Sequence, residues 1–195
     1  MLLSYEKIIK IMDASAGYLS MDTPENLYEF LTSLPTYERG DIVEFCYNDL
    51  KYPIVDKLEK IPSSVFYNSD LKFNTWTAGS HVVQIDPKAF SYCSISTVDL
   101  SKAKITELSN DIFNWSHVKK VILPEGLKKI GSYTFWNSHL TEVYIPSTVE
   151  SIGEDSFFGC THLQKVHLCK DSILQNKLKM DQDDFKIIKD KIVLY

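Results

Sequence analysis

The sequence predicts an α+β protein in which a helical N-terminal domain precedes a short solenoid of stacked parallel strands. Three observations carry this expectation. Phenylalanines recur at a nearly constant interval through the middle of the chain, and a V-x-L or V-x-I pair follows each but the first after eight or nine residues. The first 57 residues lack that period and show helical spacing and helix-start signals instead.

The ladder residues are Phe66, Phe90, Phe113, Phe135 and Phe157, spaced 24, 23, 22 and 22 residues apart. Five residues before each stand Ile61, Ile85, Leu108, Ile130 and Ile152, and three earlier again Leu58, Val82, Ile105, Leu127 and Val149. After them come Leu71, Ile95, Val118, Leu140 and Leu163, then Asn74, Val98, Val121, Val143 and Val166, and finally Trp76, Leu100, Leu123, Ile145 and Leu168. Of these 30 positions 29 are apolar, against 44% for the whole chain, and only Asn74 departs. Such self-similarity at a period of 20–50 residues is the signature of a repeat architecture.

The last two positions of each unit are two residues apart, so they share one face of a short strand and the residue between them faces the other way. Parallel strands stack about 4.8 Å apart, so neighbouring units bury each other's apolar faces; one unit alone closes no core. The phenylalanine lies on the return path and stacks on its equivalents. Three residues after it stand Ser69, Cys93, Ser116, Ser138 and Cys160, small enough for a tight turn, so Cys93 and Cys160 read as packing residues and not as nucleophiles.

The string I-P-x-x-V-x-x-I-G-x-x-x-F-x-x-C-x-x-L from Ile145 through Leu163 resembles the BspA-type leucine-rich repeat, and the resemblance covers about residues 58–169. That family occurs in bacterial surface, protozoan and phage proteins. The resemblance implies a right-handed leucine-rich-repeat solenoid with a parallel β-sheet on its concave face. It implies protein recognition as the commonest use, and it offers no catalytic residue to carry over.

Residues 1–57 read as a helical domain that also caps the first repeat. Ser4 to Met12 has helical spacing. Thr23-Pro24-Glu25 is a helix start, with a capping hydroxyl, proline in the first turn and an acid at the positive dipole end; Pro35 ends that helix. Asp41 to Leu50 reads as a third helix, and Pro53 as the start of a fourth reaching about Lys60. Residues 170–195 leave the repeat and read as a C-terminal cap: Ile173, Leu174 and Leu178 suggest a short helix, and Phe185–Ile188 with Ile192–Tyr195 either a helix ending in a strand or two short strands.

Composition restricts the function classes. Residues 1–57 hold 5 basic and 10 acidic side chains, residues 58–169 hold 10 and 11, and the net charge is −5. Arg39 is the sole arginine among 21 basic residues, so direct nucleic-acid binding is not expected. Four cysteines without a CxxC pair argue for neither a disulfide framework nor a structural zinc. No apolar run suits a signal peptide or a membrane span, which favours a cytoplasmic protein. His117, His139 and His162 form a row in stacked turns and read as exposed turn residues; no metal and no cofactor is expected. No GxSxG, P-loop, HExxH or GxGxxG occurs, and nothing points to an enzyme.

The candidate site is therefore a protein-binding face on the sheet. Its outward row is Thr75, Asp99, Ile122, Tyr144 and His167, and the row before it is Phe73, Thr97, Lys120, Glu142 and Lys165. Ile122 beside Tyr144, flanked by charges, has the composition of an interface centre with a polar rim, although β-propensity alone also places such residues on a strand. A second aromatic set, Tyr67, Tyr92, Trp115, Trp136 and Phe158, is expected to pack between units, because large aromatics are usually buried. The expected function is a non-catalytic inhibitor or adaptor that sterically occupies a partner protein, phage-encoded or bacterial, and in its most specific form a phage-encoded inhibitor of a host defence or nucleic-acid-processing enzyme. The alternative is a surface or virion-associated adhesive protein.

Overall fold

A computed structural model describes residues 24–36, 39–40, 42–43, 54–71, 73–178 and 188–195. The chain is a parallel β-solenoid of about five turns. Each turn contributes one strand to a long sheet: β2 (Thr75–Thr77), β4 (Thr97–Asp99), β6 (Lys120–Ile122), β8 (Glu142–Ile145) and β10 (Lys165–Leu168). Each also contributes a two-residue strand to a second ladder: β1 (Lys60–Ile61), β3 (Gln84–Ile85), β5 (Glu107–Leu108), β7 (Lys129–Ile130) and β9 (Ser151–Ile152). The first ladder is a six-stranded sheet in the order β11-β10-β8-β6-β4-β2, with the C-terminal strand β11 (Ile192–Leu194) parallel to β10. The second ladder is split into β1-β3 and β5-β7-β9.

The buried face of the long sheet is a row of Trp76, Val98, Val121, Val143 and Val166, in register through the strand pairs. This overturns the expected register of the first unit. Trp76 pairs with Val98, so it fills the earlier of the two strand positions, and Ala78, fully buried, fills the later one. Asn74 is not a polar intruder; it is exposed in a turn two residues longer than its counterparts, and its carbonyl accepts Ser96 N at 3.1 Å and Thr97 N at 2.8 Å. Trp76 is accommodated there because, among the described residues, β2 is the edge strand with no strand before it, and the Trp76 indole reaches Asp56 Oδ1 at 2.9 Å.

The phenylalanines form the opposite wall. Phe66, Phe90, Phe113 and Phe135 are fully buried, with stacked centroids 4.7, 5.3, 5.4 and 5.2 Å apart from Phe66 to Phe157. The small residues three positions later satisfy their carbonyls: Ser69 Oγ donates to Phe66 O and Ser116 Oγ to Phe113 O, each at 2.8 Å. Cys160 Sγ lies 2.9 Å from Phe135 O, and burial pushes the Cys93 thiol up to about 12, as expected of packing residues.

Helix α1 (Pro24–Ser33) forms where the capping signal predicts it. The expected fourth helix is a single 3-10 turn, Ile54–Lys57, because β1 begins at Lys60. The helices expected over 4–12 and 41–50 lie outside the described residues, Ile42 and Val43 excepted. Among the described residues, α1, helical positions at 36, 39–40 and 42–43, and one 3-10 turn do not support a separate helical domain. What the described residues do show is attachment: Phe30, Leu31, Ile42 and Val43 belong to the same apolar core as the repeats. Arg39 is buried, donating to Thr32 O, Leu34 O and Ser63 O at 2.9, 3.2 and 2.7 Å, so the lone arginine ties the end of α1 to the first unit. Tyr28 donates to Asp86 Oδ2 at 2.9 Å. After the last unit comes helix α2 (Ile173–Leu178), where Ile173, Leu174 and Leu178 predict it, and a 3-10 turn (Lys189–Lys191) leads into β11; the helix or strand expected from Phe185 lies outside the described residues, Ile188 excepted.

Candidate protein-binding face

The solvent face of the long sheet is built by strand alternation. Register aligns Thr77, Asp99, Ile122, Tyr144, His167 and Val193 in one row, and Thr75, Thr97, Lys120, Glu142 and Lys165 in the row before it. Asp99, Lys120, Ile122, Glu142, Tyr144 and Lys165 therefore lie together as expected. Phe73 does not: the longer turn puts Thr75 in its place, and Phe73 packs partly buried against the core. Thr77 likewise replaces Thr75 in the outward row.

His167 is also displaced from its expected role. It is only 9% exposed, its imidazole stacked on Tyr144 with centroids 3.9 Å apart and 3° between planes, and its Nε2 bonded to Glu142 Oε1. The cause is β11, which lies on the far side of β10 with Val193 opposite His167. His167 thus supports the exposed groups: it orients Tyr144, and its hydrogen bond holds the Glu142 carboxyl below the usual carboxylate range.

The exposed centre is Tyr144, 54% accessible, beside half-buried Ile122 and beside Tyr195, whose ring is 6.2 Å from that of Tyr144. Together with Lys120, Glu125, Glu142 and Pro146 they line an open groove of about 370 Å³. Sequence reasoning missed Val193 and Tyr195, because β11 lies outside the repeat period and only its pairing with β10 brings it to this face. The terminal I-V-L-Y run was the available signal.

The other candidates resolve plainly. His117, His139 and His162 form a row of rings with centroids 4.7 and 4.9 Å apart, the first pair edge-on at 87° and the second tilted at 47°. Burial, helped by the flanking imidazoles and Lys119, lowers the His139 pKa. Among the described residues no group of three or more His, Cys, Asp or Glu converges as metal ligands would. No described helix is long and apolar enough to cross a membrane. The second aromatic set is not packed away as expected: Tyr92, Trp115 and Phe158 are 44%, 47% and 48% exposed.

Comparison with known proteins agrees with the repeat geometry. The BspA type leucine rich repeat region matches residues 44–178 in 6 copies. No curated protein matches the chain. Among solved structures, a leucine rich cell surface protein from Faecalibacterium prausnitzii A2-165 is 22% identical with a TM-score of 0.40, covering 63% of this chain and 40% of its own. A leucine-rich repeat protein from Bacteroides ovatus ATCC 8483 is 16% identical with a TM-score of 0.43, covering 60% of this chain and 36% of its own. The chain thus spans less than half the length of either solved protein. With the family matched over more than half of its residues, and with parallel strands and a phenylalanine ladder in the register the repeat demands, this chain belongs to the BspA-type leucine-rich-repeat family.

Proposed function

We propose that the chain is a non-catalytic protein-binding module that uses the solvent face of its six-stranded sheet. The observation that carries this reading is the juxtaposition of Tyr144, Ile122 and Tyr195 around one groove, rimmed by Lys120 and Glu142. Aromatic anchors inside a polar rim are the usual composition of an interface hot spot. The stacked, hydrogen-bonded support from His167 pre-positions Tyr144, so less side-chain freedom is lost on binding. The mode of action is steric occupation of a partner, as an inhibitor or adaptor working in the cytoplasm. No described constellation supplies a nucleophile with an adjacent base, which favours binding over catalysis.

The test is affinity capture with the full chain from host lysate and from intact host cells, wild type beside an Ile122→Asp, Tyr144→Ala double variant. A soluble partner captured by wild type and lost by a folded variant is the expected result. A partner retained by both removes the site from the sheet face. Attachment to intact cells alone replaces the cytoplasmic inhibitor reading with an adhesive one.

A further inference from the structure

The turn arc carries a second exposed surface, independent of the sheet face. Two residues after each ladder phenylalanine the backbone is left-handed in all five units: Asn68, Tyr92, Trp115, Asn137 and Gly159 have φ of 51, 57, 54, 52 and 71°. Asparagine and glycine accept that conformation readily; a bulky side chain does not, because its Cβ crowds the following carbonyl. Units two and three nevertheless place tyrosine and tryptophan there. A third aromatic, Tyr133, is left-handed at φ 57°. All three belong to one patch: Tyr92 stacks on Trp115 at 6.2 Å and 8°, Trp115 contacts Trp136 at 6.0 Å, and Tyr133 contacts Trp136 at 6.2 Å. Strained aromatic residues whose rings stand half in water serve folding poorly, and such outliers gather at binding sites.

We propose that this patch docks an arginine side chain from a basic segment of a partner protein. From three residues before each ladder phenylalanine to two after it, the five units carry one lysine, Lys88, and three acids, Asp111, Glu154 and Asp155. Lys88 and Asp111 balance within the units that carry the rings, and the fifth unit's Glu154 and Asp155 adjoin them through Tyr133, whose N–H bonds Glu154 O at 2.9 Å; the arc is thus net negative beside its aromatics, which suits a flat cation and repels phosphate. Asp111 Oδ1 accepts Asn114 Nδ2 at 3.0 Å, and Asn114 O accepts Tyr92 N at 3.0 Å, so the carboxylate is tied beside the rings. Backbone donors of the arc are already used: Trp115 N bonds Trp136 O and Asn137 N bonds Phe158 O, both at 2.9 Å. A strand cannot add here, and recognition falls to side chains. A second copy of this chain does not supply the cation, because its one arginine, Arg39, is buried on three carbonyls.

The experiment titrates the full chain with a capped pentapeptide bearing arginine at alternate positions, following indole fluorescence. The controls are the same peptide with citrulline, which keeps the shape and loses the charge, and a neutral gluco-oligosaccharide. Arginine is expected to bind at least about fivefold more tightly than citrulline. Trp115→Asn and Tyr92→Asn, which install the residue found at Asn68 and Asn137, are expected to abolish that preference and keep the unfolding midpoint at or above wild type. Equal affinity for the two peptides overturns the proposal. So does arginine binding that survives both substitutions, or binding of the oligosaccharide alone. A midpoint that falls as far as that of a core variant also overturns it, since the rings would then be structural. Loss of the sheet-face partner in the Ile122, Tyr144 variant leaves this result untouched, so the two surfaces fail separately.

Discussion

Replacing Phe135 with alanine tests the solenoid core directly. The ring is fully buried between Phe113 at 5.4 Å and Phe157 at 5.2 Å. Truncating a core phenylalanine costs about 3–5 kcal/mol, from lost burial plus the cavity that remains. Two aromatic contacts at about 0.5–1.5 kcal/mol each lie within that sum. In a repeat protein the loss falls on two unit–unit interfaces, so an interior ring should outweigh a terminal one. Phe157, which among the described residues stacks on Phe135 alone and is slightly exposed, should give a value toward the lower end. For a chain of this size each kcal/mol moves the unfolding midpoint by roughly 2–4 °C, so Phe135→Ala should lower it by roughly 6–20 °C. Thermal unfolding by circular dichroism, with Lys128→Ala as surface control, reads the effect. A shift no greater than that of the control would refute the ladder as a source of stability.

Three further outcomes follow from the glycine surroundings and from the histidine row. A Cβ at Gly153 would meet the backbone of the preceding unit at Gly131 C, 2.7 Å away, and Gly153→Ala should cost about 1–3 kcal/mol by overpacking. At Gly126 nothing lies within 4 Å, so Gly126→Ala should be neutral or slightly stabilising in the same denaturation assay. His139 resists protonation in the fold because of burial and its neighbours His117, His162 and Lys119. Just below its ordinary value of 6.5 the unfolded chain therefore binds more protons than the folded one. The stability is complete above that value and declines as the pH falls. Melts from about pH 8 to about pH 5 should show this decline, shallower in His139→Gln; parallel slopes would refute it.

The repeat was legible because its signal is redundant: neighbouring coils impose the same six apolar positions five times over, and one deviation does not erase the period. That deviation also marks the error. Asn74 fits the spacing of the other units, and nothing in the chain announces that the first turn is two residues longer. Only the pairing of Trp76 with Val98 reveals it, and with it the displacement of Phe73 from the binding row. His167 was misplaced for a different reason. Alternation sends it outward, but β11 arrives from outside the repeat and closes over that side of β10. The exposed aromatic turn was misjudged because tryptophan and tyrosine are usually buried, and the left-handed backbone that turns Tyr92 and Trp115 out is a property of the coil and not of the residues.

The sequence by itself determined the architecture of the repeats: the coil length, the strand positions of the last four units, the phenylalanine wall and the small residues of the turn. Each follows from local period and from the need of every unit to bury its faces on the next. The tertiary structure decided which side chains share a surface. Tyr195 meets Tyr144, and Val193 flanks His167, through contacts between segments that no period relates. Burial patterns repeat along a chain and can be read from it; a binding face is assembled across strands, where one residue of slippage, or one added edge strand, changes its membership.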